Sequence, residues 1–254
     1  MIFRFNNLSK LPWLGHAVSD KSFGNLSYFV SDKKSNVDNN RKTFFDVASV
    51  VENDVVEMQQ VHGNHVKIVS EEEKGQLILE TDAIITRNPG VVLIVKAADC
   101  VPILLSDPVK KVIGVVHAGW KGTAQEIAKL AVNHMEDHFG TTPADLIVGI
   151  GPSIGPCCYE VDTPVIEQFK YKFNYADKLF SGNKGGRASL AEDSESRRAN
   201  LDLWQANKFQ LIETGVKEKN IEVSGICTYD NSKLYFSDRK NKSEGRFGSI
   251  LWIK

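Results

Sequence analysis

No stretch of the 254-residue chain is apolar over the roughly 18 to 20 residues that a membrane-spanning helix needs, so membrane insertion is set aside. The opening segment, MIFRFNNLSKLPWLGH, lacks a basic start, a following apolar stretch and a small-residue cleavage site. Nothing there marks the chain for secretion, and a reducing cytoplasm is the expected setting. The formal net charge is only −1, and no basic stripe with interleaved aromatics is present, which argues against a nucleic-acid partner. Cysteine is scarce: the four cysteines contain no CxxC spacing, and in a reducing setting they read as ligands, nucleophiles or core fillers rather than disulfides. The six histidines include no His-x-His pair, too few imidazoles for a four-copper oxidase centre.

What remains is an ordinary globular composition, 42% hydrophobic and 25% charged, in a chain short enough to form one domain over 1–254. From Val51 the pattern VVEMQQVH, Gly63-Asn64 and HVKIV predicts a hairpin with His62 at its tip. The run VVLIVKAADCVPILLSD predicts a buried strand carrying Cys100 near its end, and KVIGVVH predicts another that ends on His117. Thr123 with Glu126 three residues later has the form of a capping box, and apolar residues recur at helical spacing as far as Gly140, a helix stop. DLIVGIG predicts a strand before the turn GPSIGPCCYEVD, and Asp162 with Pro164 opens a helix. Residues 180–200 are polar, rich in Gly and Ser and aperiodic, and are expected to form a flexible surface loop. Asp202 begins a helix that Gly215 stops, and IEVSGICTYD and RFGSILWIK supply late strands. Mixed order with hairpins favours an α+β fold, mixed β-sheets with flanking helices, over a doubly wound parallel sheet.

Catalytic zinc sites offer three protein ligands from His, Cys or carboxylates and keep a fourth position open. His62, Cys100 and His117 match that count, each at a strand end beside a turn, although their wide spacing makes no local motif and a strand-end His or Cys is commonly structural. His65 flanks the same turn as His62 and competes with it. His134 and His138 lie four apart, but HMEDH is not HExxH, and imidazoles in a last helical turn are accounted for by the helix dipole.

Gln60-Val61-His62-Gly63, Asp82 in TDA, Asp99-Cys100, His117-Ala118-Gly119-Trp120, and Gly155-Pro156-Cys157 with Tyr159-Glu160-Val161 together resemble the YfiH-like family, whose members are labelled laccase-like polyphenol oxidases or purine nucleoside phosphorylases. The resemblance runs from about Val55 to the C-terminus. It implies a YfiH-like fold, zinc ligation by His62, Cys100 and His117, and phosphorolysis of adenosine, inosine and methylthioadenosine to base and ribose 1-phosphate, with some adenosine deamination. Cys100, His117 and Asp99 are then the expected catalytic residues, with Asp99 orienting an imidazole, relaying a proton or capping a turn. Phosphorolysis also asks for a cationic clamp, for which Lys121 and Arg239 or Arg246 are the candidates, each equally readable as a solvated surface cation; Gln60 and Cys157 are the other candidate substrate contacts, Cys157 reading as readily as a small residue packed in a tight Pro/Gly turn. Nucleoside and phosphate are the expected partners of a monomer or small homo-oligomer. The chain departs from the family in AVSDKSFGNLSYF, where an Arg-Gly-Gly segment is usual, and in SDRKNKSEGR, where S-[HY]-R-R-[DE] is usual.

Three other readings use the same residues. Cys100 with His117 as base would serve a thiol hydrolase, including an editing amidase on a peptidoglycan precursor. Copper would serve phenol oxidation. A non-enzymatic module with structural zinc would require a fourth protein ligand, such as Cys157 or Asp99.

Overall fold

A computed structural model describes residues 1–182 and 198–254; most of the expected surface loop, residues 183–197, lies outside the described residues. In chain order the strands are β1 (Ile2–Phe3), β2 (Leu14–Ser19), β3 (Val55–Met58), β4 (Val66–Ile68), β5 (Leu77–Ile78), β6 (Ala83–Thr86), β7 (Val92–Ala97), β8 (Val101–Asp107), β9 (Val112–Ala118), β10 (Ile147–Ile150), β11 (Glu160–Asp162), β12 (Phe180–Ser181), β13 (Arg198–Leu201), β14 (Ile221–Val223) and β15 (Phe247–Ile253). The helices are α1 (Asn6–Ser9), α2 (Lys34–Ala48), α3 (Trp120–Ala124), α4 (Ile127–Phe139), α5 (Thr163–Lys172) and α6 (Leu203–Glu213).

Two six-stranded sheets form among the described residues, ordered β1-β2-β15-β7-β3-β5 and β14-β10-β8-β9-β6-β4, and both mix parallel and antiparallel pairs. Side-chain parity explains how they stack, because alternate residues of a strand face opposite sides. In β7, Val92 and Ile94 pack with Phe44, Phe45 and Ala48 of α2, while Leu93 and Val95 face the second sheet. In β9, Ile113 and Val115 meet them from the other side, while Val112, Val116 and Ala118 pack against Ile127, Ala131 and Met135 of α4. The layers therefore run helix, sheet, sheet, helix, an α+β architecture with mixed sheets.

Several expectations are corrected. The hairpin across Gly63-Asn64 does not form: β3 pairs parallel with β7 in one sheet and β4 pairs parallel with β6 in the other. The left-handed residue is His62, at φ 60, and the backbone amides of Val61, His62 and Gly63 are taken by Asp82 instead of a turn. The long run around Cys100 is two strands in different sheets, β7 and β8. The helix after His117 is broken: Glu126 is left-handed at φ 61 between α3 and α4, so no capping box forms, and its carboxylate pairs with Lys129 and Lys172. Gly140 does stop α4 in the left-handed conformation, and Asp202 does cap α6 by accepting from the Gln205 amide. The flanks of the expected loop pair as β12 and β13. IEVSGICTYD is a three-residue strand followed by turns.

His16 on β2 is buried and accepts from the Phe5 amide at 2.9 Å, so its ring is held neutral. Burial and the neighbouring Arg4 lower its pKa to about 4. A folded pKa depressed below the unfolded value contributes stability that is complete above about pH 6.5 and is lost as pH falls toward 4. The span corresponds to about 3 kcal/mol. Urea unfolding of wild type and His16→Gln between pH 4 and 7 is expected to show a steeper acid loss in the wild type; equal slopes would contradict the assignment.

Candidate functional site

Three connections converge where the two sheets meet. His62 lies on the crossing from β3 to β4, Cys100 in the turn from β7 to β8, and His117 near the end of β9 with the same parity as Ile113 and Val115. Their ligating nitrogen and sulfur atoms all lie within 4.8 Å of one another, a group able to hold a metal ion. The two imidazoles stand edge to face, ring centroids 4.8 Å apart. A Cβ on Gly119 would come within 2.9 Å of His62 Cδ2 and 3.0 Å of Cys100 Sγ, so the Ala-Gly-Trp turn needs glycine here to let the three side chains close together.

Asp82 organises the group. Its carboxylate accepts from the amides of Val61 (3.2 Å), His62 (3.0 Å) and Gly63 (2.7 Å) and from His117 Nδ1 at 2.8 Å, while its own carbonyl accepts the His117 amide at 2.7 Å. It thereby fixes the backbone that carries one ligand and the tautomer of another, leaving His117 Nε2 to face Cys100. Burial alone would raise the Asp82 pKa, but the His117 contact and the amides outweigh it and hold the carboxyl below its ordinary value. Burial would likewise raise Cys100, but His117 and His62 outweigh it and lower the thiol; His117 is raised in turn, against burial, by Cys100 and Asp82. The group therefore favours a thiolate, the form in which cysteine ligates a metal or attacks an electrophile.

The site opens into a cavity of about 590 Å³, within the range that holds a small molecule. His62, Asp99, Cys100 and His117 line it, with Gln60, Lys96, Tyr159, Arg239, Lys242 and Arg246. Gln60 uses both ends of its amide on the backbone of Lys96, at 2.7 and 2.9 Å, and so builds the wall. The Asp99 carboxylate accepts from Thr228 Oγ1 and the Arg239 amide, each at 2.7 Å, rather than from an imidazole, and Asp99 itself is left-handed at φ 87. Arg239 lies 5.1 Å over the Tyr159 ring and donates to the Glu160 carbonyl, and Arg246 pairs with Asp238 at 2.9 Å. Two expected substrate contacts are not brought here: Lys121 points along the Trp120 ring, and Cys157 faces Asp230, both outside the cavity lining. His65 bonds instead to the Glu80 carbonyl and Thr81, and His134 and His138 lie side by side on α4, their rings tilted 33° with centroids 5.5 Å apart, outside both metal-capable groups.

Lys96 is not among the residues the sequence singles out, and Asp82 is singled out there only as part of the TDA motif, with no role. Lys96 is buried in an ion pair with Glu57, which also pairs with Arg41 of α2 at 2.9 Å. A lysine inside an otherwise apolar strand, VLIVKA, was the visible signal, since an unpaired ammonium is not buried. For Asp82 the signal was a carboxylate directly before the apolar strand AIIT.

A family model described as multi-copper polyphenol oxidoreductase laccase matches residues 13–254. The chain belongs to that family. It is 33% identical over 247 residues to the purine nucleoside phosphorylase YlmD of Bacillus subtilis, covering 93% of this chain and 85% of that protein. It is 33% identical over 224 residues to the adenosine deaminase RL5 of an unknown prokaryotic organism, covering 85% and 81%. The crystal structure of the hypothetical protein YfiH of Bacillus licheniformis superposes with a TM-score of 0.87 at 31% identity, covering 95% of this chain and 93% of that one. The α+β fold with mixed sheets is thus the fold of YfiH structures.

Proposed function

We propose that this family member is a zinc-dependent purine nucleoside phosphorylase, converting adenosine, inosine and methylthioadenosine to base and ribose 1-phosphate, with adenosine deamination as a side activity. It acts as a single catalytic domain over 1–254, in a reducing cytoplasm that keeps Cys100 free to ligate. The carrying observation is the convergence of His62, Cys100 and His117 on the wall of a nucleoside-sized cavity that also bears several cations. The related phosphorylase and deaminase supply the reaction class.

Two imidazoles and one thiolate are a zinc donor set, and the Asp82–His117 bond is the outer contact that zinc-binding histidines use. The same three donors suit a single copper ion, but not a four-copper centre: the remaining described histidines stand elsewhere, His16 in the first sheet and His65, His134 and His138 in contacts of their own. Zinc held by these residues would supply Lewis acidity on the cavity wall. The chain's own residues do the rest. Asp82 holds His117 in place; Met58, Phe29 and Tyr159 give the base an apolar surface; and Arg239, Lys242 and Arg246 draw phosphate to the sugar. The expected catalytic role of Asp99 becomes a positioning one, since its carboxylate orders Thr228 and the Arg239 backbone.

Arg246→Met tests the phosphate clamp. KM for phosphate is expected to rise about tenfold or more while KM for adenosine changes little, as loss of a charge-assisted contact requires. An unchanged phosphate KM would remove Arg246 from the substrate site.

A second reading is favoured by one arrangement. Cys100, His117 and Asp82 also stand in the order of nucleophile, base and orienting carboxylate, the layout of a thiol hydrolase. Metal removal separates the two: a phosphorylase loses turnover with its zinc, whereas a thiol hydrolase keeps or gains it.

A further inference from the structure

A second group of donors lies on the far side of the Asp99 loop. Cys157 and Cys158, in the turn between β10 and β11, face Cys227 and Asp230 in the turns after β14, and their four ligating atoms all lie within 4.8 Å of one another. Cys157 Sγ donates to Asp230 Oδ2 and Cys158 Sγ to Oδ1, each at 3.1 Å. Cys227 is buried, and its sulfur accepts the Gly155 amide at 3.3 Å. The frame is held without these side chains: Ser153 and Cys227 form a parallel bridge, Ser153 N donates to the Ile226 carbonyl at 3.2 Å, and Thr228 N donates to the Ser153 carbonyl at 3.0 Å.

We infer that Cys157, Cys158, Cys227 and Asp230 form a second, structural site for a thiophilic divalent cation of the zinc class. Three thiols crowded on one carboxylate, carried by two turns some seventy residues apart and pre-joined by backbone bonds, have the number and type of donors that close a tetrahedral shell. With metal–sulfur bonds near 2.3 Å and metal–oxygen bonds near 2.0 Å, tetrahedral geometry asks for donor separations of about 3.5 to 3.8 Å, which these side chains reach by small rotations. Four protein ligands leave no open position, so this site holds structure and does not turn over substrate. Binding replaces thiol protons: each cysteine loses its proton to solvent as its sulfur bonds the cation, and Asp230 exchanges two S–H donors for the metal. No oxidant or reductant is required.

The site also bears on the cavity. Thr228 follows Cys227 and donates to Asp99, the residue before Cys100, while Tyr159 follows Cys158 and lies under Arg239. A cation here pins the wall that carries both.

The test uses the full chain with Cys100→Ala, which disables the first site, titrated anaerobically with cobalt(II). One equivalent is expected to bind with intense thiolate-to-cobalt charge transfer in the near ultraviolet, to be displaced mole for mole by zinc, and to disappear when Cys227→Ser is added. Cys157→Ser, at an exposed position, repeats the loss if the Cys227 variant fails to fold. Absence of charge transfer in the Cys100→Ala chain, its persistence in both serine variants, or thiol counting that finds two of these cysteines joined as a disulfide in protein isolated under reducing conditions would each overturn the inference.

Discussion

Cys100→Ala is expected to abolish phosphorolysis, lowering kcat/KM by about 10³-fold or more, and to remove one equivalent of metal. The magnitude follows from what Cys100 would hold on the proposed reading: a Lewis acid supplies several kcal/mol to a transition state that develops charge, and each ~1.4 kcal/mol is a factor of ten. Folding is not expected to suffer much, because Cys100 is only partly buried and its turn is fixed by the Ile154 amide on the Asp99 carbonyl (2.9 Å) and by the Asp99 carboxylate. Circular dichroism and metal analysis of the purified variant, alongside the rate, separate the effects. A folded Cys100→Ala protein that holds as many equivalents of metal as wild type and keeps most of its activity would remove Cys100 from the centre. His62 and His117 stand edge to face beside it and are expected to lose metal in the same way when replaced by alanine.

The second large effect falls on a residue that need not touch substrate. Asp82→Asn places one acceptor and one donor where four N–H groups now converge on a carboxylate, and the residue has no exposed surface. The variant amide must point its NH2 toward some of those donors, leaving buried groups unpaired. Stability is expected to fall by about 3 to 5 kcal/mol, as when one partner of a buried charged network is removed. Metal affinity is expected to fall 10- to 100-fold, the usual effect of losing an outer partner of a histidine ligand. Denaturant unfolding of the metal-free chain and competitive chelation of the metal-loaded chain measure the two separately. A variant as stable and as tight as wild type would show that Asp82 is a bystander.

Much of the site was legible because its chemistry lies in side-chain identity. His62, Cys100 and His117 are candidate donors by their strand-end positions and expected zinc ligands by the family resemblance, and the structure brings them together. The elements that present them were less legible. Gly63-Asn64 carries a hairpin signal, but the Asp82 carboxylate, some twenty residues away, takes the amides that a turn would have used, and the chain crosses between sheets instead. VVLIVKAADCVPILLSD reads as one apolar run because strands buried on both faces do not alternate, so periodicity cannot show that a left-handed Asp99 divides it. The 3.6-residue pattern placed α4 and its Gly140 stop, yet did not reveal the break at Glu126, because a left-handed residue leaves no mark in hydrophobic periodicity. Lys121 directly follows the His117-Ala118-Gly119-Trp120 segment and is a candidate phosphate ligand by sequence, but the direction of its side chain is set by the short α3, whose geometry no local signal specified. The pairing of the cysteines was hidden for the same reason: Cys157 and Cys158 become neighbours of Cys227 only through the sheet order β14-β10.

The most direct measurement of the central claim is the fate of adenosine with zinc-loaded wild-type protein, with and without phosphate, followed by chromatography of adenine, hypoxanthine, ribose 1-phosphate and inosine. Ribose 1-phosphate equal to the sum of adenine and hypoxanthine is expected only when phosphate is present, a minor yield of inosine when it is absent, and loss of all these products when zinc is chelated. No turnover of adenosine under any of these conditions, by protein shown to carry zinc at His62, Cys100 and His117, would contradict it.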